Sequence, residues 1–273
     1  MMKKLGFYGL GFLAVLLLAL AAYNISGRST GGSGEGGRNS GSRAGTTWTA
    51  RTSQGNILYD VTYGDGIFVA VGAGGTIRTS SDGVSWTEWA LGGGNLYGVT
   101  YGNGIFVAVG SLTPILTSSD GVDWTQQLTP PSVLLDVAYG NGLFVAVGLD
   151  DTVLTSPDGA NWTLRSSGTD NDLYSVTYGN GTFVAVAKGG TILTSPDGVN
   201  WTKRASGDSD LFSVTYGNNT FVAVGQGGTI LTSPDGATWT ARTSPTYKSL
   251  LGVTYGNGTF VAVGQDGIIL TSP

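Results

Sequence analysis

Aspartate is the side chain on which paired-carboxylate or metal-binding chemistry in this chain would have to rest. The 273 residues contain no histidine and no cysteine. That removes the commonest general base, the commonest zinc ligand, thiolate nucleophiles and disulfides together. Glutamate occurs only as Glu35 and Glu88. Three sets of aspartates stand out. Asp170/Asp172 and Asp208/Asp210 are Asp-x-Asp pairs, with Asp150-Asp151 in a related stretch. Oxygen-rich loops can hold calcium, and carboxylate pairs can cleave glycosidic bonds. Solvated acidic loops are the simpler reading, so no cofactor is expected and calcium is the alternative. A second set, Asp82, Asp120, Asp158, Asp197 and Asp235, each precedes a glycine and is expected to accept hydrogen bonds from its own turn. The third set is Asp60 and Asp136, inside apolar runs where the equivalent residues are Gly98, Ser175, Ser213 and Gly252.

What must position these residues is a repeat. Tyr63, Tyr101, Tyr139, Tyr178, Tyr216 and Tyr255 each precede a glycine at intervals of 38 or 39 residues. Trp86, Trp124, Trp162, Trp201 and Trp239 each follow one of the first five by 23 residues, and an extra Trp48-Thr49 precedes the first unit. Such periodicity marks a stacked or circular array. Within a unit, Leu58–Tyr63, Ile67–Val71, Thr76–Ser80 and Val84–Thr87 read as β-strands, separated by Gly64-Asp65-Gly66, Gly72–Gly75 and Ser81-Asp82-Gly83. Asn-Gly and Asp-Gly between β-prone runs are strong hairpin signals. Four short antiparallel strands per unit of about 40 residues make the blade of a β-propeller. The reading is all-β: a six-bladed propeller of four-stranded antiparallel blades over residues 46–273. Residues 250–273 supply three strands of the sixth blade, and the Trp48 segment is expected to supply its outer strand, closing the ring and covering a sheet edge. The repeated tryptophans and tyrosines then read as interblade and turn packing rather than ligand platforms.

Residues 1–26 form a targeting element. Lys3 and Lys4 precede an uncharged run from Leu5 to about Ile25, long enough to cross a bilayer at about 1.5 Å per residue. Ala19-Leu20-Ala21 offers a cleavage site, so a cleaved signal and a retained anchor are both open, the length of the run favouring the anchor. Either exports the rest of the chain. Residues 27–45, rich in glycine and serine, read as a flexible linker. Formal net charge is −5 overall, but residues 46–273 carry 8 basic against 17 acidic side chains. A domain that acidic is ill-suited to phosphate backbones, so nucleic acid is not an expected partner. Contact with a membrane is expected through the amino-terminal segment only, and one closed ring is expected to be monomeric.

The repeated Thr-Ser-Ser/Pro-Asp-Gly-x-x-Trp-Thr, as in Thr79–Thr87 and Thr194–Thr202, resembles the Asp-box or BNR turn of sialidase-like propellers. The preceding Gly-x-Ile/Val-x-Thr-Ser is similar to repeats of photosystem II assembly factors. The resemblance covers residues 46–273, with one departure: Asp82-Gly83 and its counterparts are adjacent, where the usual box spaces them by one residue. It implies repeat class more than activity, since such repeats occur in hydrolases, lectins and scaffolds. A sialidase would need three arginines converging on a substrate carboxylate. Here Arg51, Arg165, Arg204 and Arg242 each follow a tryptophan by three residues, so they are copies of one outer-strand position and should fan around the rim.

Variation inside the repeat points elsewhere. Tyr-to-Trp spacing is constant, while Trp-to-next-Tyr spacing is 15 or 16 residues. Length and sequence therefore vary in the loop joining one blade's outer strand to the next blade's inner strand, and again in the turn between strands two and three. Strand alternation puts both loop sets on one face of the disc, and surface loops on a rigid scaffold commonly carry function. The candidate binding residues are Asp150, Asp151, Asp170, Asp172, Lys188, Asp208, Asp210, Gln226, Tyr247 and Gln265; no catalytic or metal site is assigned. The expected activity is binding of a protein or glycan partner by an exported, non-catalytic propeller. A glycan-active hydrolase and an assembly factor for a membrane complex are the alternatives.

Overall fold

The computed structural model describes residues 55–273; the apolar amino-terminal run, the Gly/Ser-rich stretch and the Trp48 segment lie outside the described residues. Among the described residues no helix is long and apolar enough to cross a membrane. The fold is a six-bladed propeller. Blade one comprises β1 (Leu58–Gly64), β2 (Ile67–Gly72), β3 (Thr76–Ser80) and β4 (Thr87–Ala90). Blade two has β5 (Leu96–Gly102), β6 (Ile105–Gly110), β7 (Leu116–Ser118) and β8 (Thr125–Gln126). Blade three has β9 (Leu134–Gly140), β10 (Leu143–Gly148), β11 (Thr152–Ser156) and β12 (Thr163–Ser166). Blade four has β13 (Leu173–Gly179), β14 (Thr182–Ala187), β15 (Ile192–Ser195) and β16 (Thr202–Ala205). Blade five has β17 (Leu211–Gly217), β18 (Thr220–Gly225), β19 (Ile230–Ser233) and β20 (Thr240–Ala241). Blade six has β21 (Leu250–Gly256), β22 (Thr259–Gly264) and β23 (Ile269–Ser272). Each sheet is an antiparallel meander in chain order, four-stranded in five blades and three-stranded in the sixth.

The local causes are those the repeat announces. Asp65, Asn103, Asn141, Asn180, Asn218 and Asn257 have φ between 45° and 49°, and the residue after each is also left-handed. Two successive positive φ values give the two-residue turn whose twist matches the flanking strands, which is why Asn-Gly recurs there. At the third turn, Asp82 Oδ1 accepts from the Val84 and Ser85 amides at 2.7 and 2.8 Å and from the Ser80 hydroxyl. These bonds hold its carboxyl down to about 2. Trp86 Nε1 closes the same turn by donating to the Gly83 carbonyl. The four other boxes repeat this turn, and each aspartate is held below the usual carboxylate range by the equivalent amides and hydroxyl, with the Asn161 and Asn200 side chains donating in addition to Asp158 and Asp197.

Blades pack by a Val face on a Phe-Ala face. Val69, Val71 and Ile77 of blade one meet Leu96, Phe106, Ala108 and Leu116 of blade two, with Trp124 alongside. The next three seams copy this with Trp162, Trp201 and Trp239, and the fifth joins blades five and six. Each fully buried Phe contributes about 1.5–3 kcal/mol. The recurrent Tyr-Gly dipeptide has a steric cause. A Cβ added to Gly64 would lie 2.0 Å from Tyr101 Cγ, and the same approach recurs at Gly102/Tyr139, Gly140/Tyr178, Gly179/Tyr216 and Gly217/Tyr255. The tyrosine ring of each blade lies on the bare backbone of the blade before it. Gly256, the sixth copy, meets nothing within 4 Å, and Tyr63 is 58% exposed. The tyrosine-on-glycine approach thus recurs at five seams, the first four of which also pack a half-buried tryptophan, and the sixth lacks that approach among the described residues. The expected pairing of the Trp48 strand with β23 falls outside those residues.

Candidate functional site: the loop face and the axial well

The two variable loop sets do lie together, because they hydrogen-bond to each other. Within blades, the Ala73, Ser111, Leu149, Lys188, Gln226 and Gln265 amides donate to the carbonyls of Ile57, Asn95, Val133, Asp172, Asp210 and Ser249, the residues that lead into the inner strands. Between blades, a side chain at that lead-in position accepts from the previous blade's strand-two to strand-three turn. Asn95 Oδ1 accepts from Gly74 at 3.0 Å, Asp172 Oδ1 from Asp150 at 3.0 Å, Asp210 Oδ1 from Gly189 at 2.8 Å, and Ser249 Oγ from Gly227 at 3.4 Å.

This divides the predicted binding residues. Asp172 and Asp210 staple neighbouring blades, while their partners in Asp-x-Asp, Asp170 and Asp208, stand exposed. The two carboxylates of each pair therefore serve different ends. Among the described residues, no group of three or more acidic side chains is placed to hold a metal ion. Asp150 accepts from the Ser132 hydroxyl at 2.9 Å, and Asp150 and Asp151 both occupy left-handed turn positions with φ 54°. Gln226 and Gln265 accept from the Asp210 and Ser249 amides at 3.4 and 3.3 Å, so both fasten their own blade's entry loop. Lys188 projects from the face. Tyr247 is 81% exposed, with the Lys248 ammonium 5.5 Å from its ring centroid, and Lys248 pairs with Asp266. The staples were readable in the sequence as one recurring position, Ile57, Asn95, Val133, Asp172, Asp210 and Ser249, with an acceptor in four of its six copies. Considering the aspartates as pairs, rather than as copies of a site, conceals this.

The second feature of the face is its centre, where every inner strand carries a bulge. In blade one the register runs Leu58↔Gly72 and then Asp60↔Val71, so Tyr59 is the extra residue. The shift recurs on all five other inner strands, at Tyr97, Leu135, Tyr174, Phe212 and Leu251. A bulge re-aims side chains and tightens local twist. Here it brings two successive residues of several strands to the axis. A well of about 390 Å³ is lined by Tyr59, Asp60, Tyr97, Leu135, Asp136, Tyr174, Ser175, Phe212, Ser213, Leu251 and Gly252. Val261 and Val263 also line it, so the well extends sideways beside blade six. Its collar is aromatic on two sides. Tyr59 and Tyr97 rings lie 5.2 Å apart, Tyr174 and Phe212 rings 6.0 Å apart, and a leucine from blade three or six separates the pairs. The collar belongs to the loop face: Asn95 Nδ2 and the Ser111 hydroxyl reach the Tyr97 hydroxyl at 3.2 and 3.4 Å. Burial, with Asp210 and Asp172 nearby, pushes the Tyr174 hydroxyl well above its ordinary range.

Below the collar sit Asp60 and Asp136, whose orientation the sequence left undecided. Asp60 accepts from its neighbour Val61 and, across the seam, from the Val99 amide, both at 2.8 Å. Asp136 accepts from Val137 at 2.7 Å and from Val176 of the next blade at 2.9 Å. Ser175 and Ser213 do the same more weakly toward Val214 and Val253, at 3.4 and 3.2 Å. Each of these polar side chains therefore ties two inner strands at the axis. Burial raises the Asp60 carboxyl to about 7, helped by Asp136 and opposed by the two amide bonds. Burial likewise raises Asp136 to about 6 against the bonds from Val176, Ser175 and Val137. The carboxylates line the well yet are ringed by protein, so desolvation outweighs their hydrogen bonds.

Solved structures with this fold are numerous. The chain is similar to the structure described as YCF48 bound to D1 peptide, with 20% identity, 83% of each chain covered and a TM-score of 0.68. It is also similar to the extracellular domain of the putative one component system BT4673 from B. thetaiotaomicron, at 13% identity and a TM-score of 0.64 over 79% of this chain and 32% of that one. The computationally designed Ika8 protein matches at 14% identity and 0.63, over 79% and 70%. At these identities the likeness shows the fold. No family model matches the chain, and no curated protein matches it.

The arginines take the places expected of copies. Arg165, Arg204 and Arg242 donate Nε to Thr155, Thr194 and Thr232 at 2.9, 2.8 and 2.7 Å, each across the outer strand pair of its own blade. They do not converge. Blade one departs from the pattern: Arg78 stands on β3 where other blades have leucine, is 6% exposed, and binds Glu88 through Nε at 2.9 Å. None of these guanidinium groups lines the axial well.

Proposed function

We propose that this chain is an exported, membrane-tethered, non-catalytic propeller that binds a protein partner on its variable-loop face. The observation that carries this reading is the contrast between the two faces. One presents six near-identical turns, Asn-Gly or Asp-Gly in five blades and Asn218-Asn219 in the other. The other presents loops of varying length and side chain, locked to each other by interblade hydrogen bonds around an aromatic collar. A rigid scaffold with one diversified surface loses little conformational freedom on association, which favours binding. The solved propeller that holds a D1 peptide supports a protein partner, and the extracellular propeller of B. thetaiotaomicron supports export. The uncharged run from Leu5 to about Ile25 supports tethering.

The test separates contact from scaffold. Asp170, Asp208 and Tyr247 are exposed, so replacing all three by alanine should weaken capture of ligands found on a peptide array while leaving melting within about 1 °C, as surface substitutions do. Undiminished capture by that variant, combined with loss on altering the opposite turns at Asn103 and Asn180, would overturn the face assignment.

A further inference from the structure

We propose that the axial well is a binding site for an alkylammonium group, the head of a lysine side chain on the partner. The inference rests on the loop-face reading in one respect, because the well opens on that face. The chemistry comes from three features together. The well is a cavity of about 390 Å³, ample for a four-carbon stem and its charged end. Its mouth offers aromatic rings in two pairs, Tyr59 with Tyr97 and Tyr174 with Phe212. Its floor offers Asp60 and Asp136, and no lysine or arginine is among the lining residues.

Each feature selects against other ligand classes. An anion would meet two carboxylates and no cation. A neutral apolar group would bury the carboxylates without compensating them, which is unfavourable. A cation gains from the carboxylates, and an alkyl stem attached to it gains from the aromatic collar. Each carboxylate has about four lone-pair sites, more than the backbone amides and the Ser175 hydroxyl occupy between them. A compact ammonium on a flexible stem suits acceptors set below an aromatic collar better than a planar guanidinium fork, which needs a wide, flat pair of acceptors. The collar's apolar rings would lie along the methylenes of the stem, leaving the charge below. The bulges matter here. Without the shift at Tyr59 and its five counterparts, strand alternation would send either the collar or the floor away from the axis.

The experiment uses the full chain in detergent, in buffers free of amines, with n-butylammonium chloride as probe and n-butanol as the neutral control. Thermal unfolding and saturation-transfer NMR should report saturable binding of butylammonium at millimolar concentration, and none of butanol. The double variant D60N/D136N should weaken it at least tenfold; Y59L/F212L, which keeps the carboxylates, should weaken it several-fold. A peptide bearing one lysine should compete, and its norleucine analogue should not. If the free amine binds but the lysine peptide does not compete, the well takes small amines and the assignment to a partner's lysine is wrong. No binding at about 50 mM probe, or binding indifferent to D60N/D136N, overturns the site. Loss of partner capture in the Asp170/Asp208/Tyr247 variant with intact butylammonium binding would leave the well standing independently of the wider face.

Discussion

Between pH 5 and pH 8 this protein should become less stable, and the cause should be two side chains. The chain has no histidine and no cysteine, so few other groups titrate in that window. Asp60 and Asp136 have folded-state pKa values raised to about 7 and about 6, against 3.8 for an unperturbed aspartate. The native state therefore binds more protons than the unfolded chain over this range, and stability falls as pH rises. The contribution is complete below about pH 4 and lost as pH passes through 6 and 7. Integrating the two linkages from pH 5 to pH 8 gives about 4 kcal/mol; solvent in the well, which screens the carboxylates, brings the expected loss nearer about 2 kcal/mol. For a domain of this size that is a fall in Tm of roughly 4–8 °C. The perturbation is D60N/D136N. Each asparagine keeps one acceptor oxygen and turns an amide toward the second backbone N–H, so the variant starts less stable at pH 5. Its slope is the readout. Urea unfolding at half-unit pH steps should give a declining profile for the parent and a flat one for the variant. A parent profile that is flat or rises between pH 5 and pH 8, or a decline that persists in the variant, would refute the assignment of raised folded-state pKa values to these two carboxyls.

Three further expectations come from the blade geometry. Asp210→Ala removes the acceptor for the Gly189 amide and should cost about 1 kcal/mol, whereas Asp210→Asn should restore it, since Asn95 already performs this role toward Gly74; urea midpoints of the two variants would tell. Gly140→Ala would place a methyl 2.0 Å from Tyr178 Cγ and should destabilise by about 3 kcal/mol or more through overpacking, with circular dichroism melting as the measure. Between blades five and six, a groove of about 540 Å³ is lined by Thr220, Val222, Thr232 and Phe260, the counterparts of residues beside the Trp239 turn. If Trp48-Thr49-Ala50-Arg51, identical to Trp239-Thr240-Ala241-Arg242, docks there beside β23, Trp48→Ala should lower stability by about 3 kcal/mol. An unchanged Tm would show that ring closure does not use this segment.

The repeat, the six blades, the hairpin turns and the use of the box aspartates were all legible in the residues, because each depends on local rules. Asn-Gly requires left-handed backbone, alternating apolar residues require two buried faces, and an aspartate two residues before free amides will accept from them. The grouping of the variable loops was legible too, since strand direction alone sets which turns share a face. The division of Asp170 from Asp172, and of Asp208 from Asp210, was not. One residue of each pair is held by a turn about 21 residues earlier in the chain, a partner that exists only once two blades stand side by side. Nor could the residues show that Asp60 and Asp136 face the axis. A strict two-residue alternation would assign Tyr59 and Asp60 to opposite sides of the sheet. Only the bulge directs both toward the centre. Regular strand pairing makes the ring; the well arises where the inner strands depart from regularity, at a bulge that alternation of residue types does not announce.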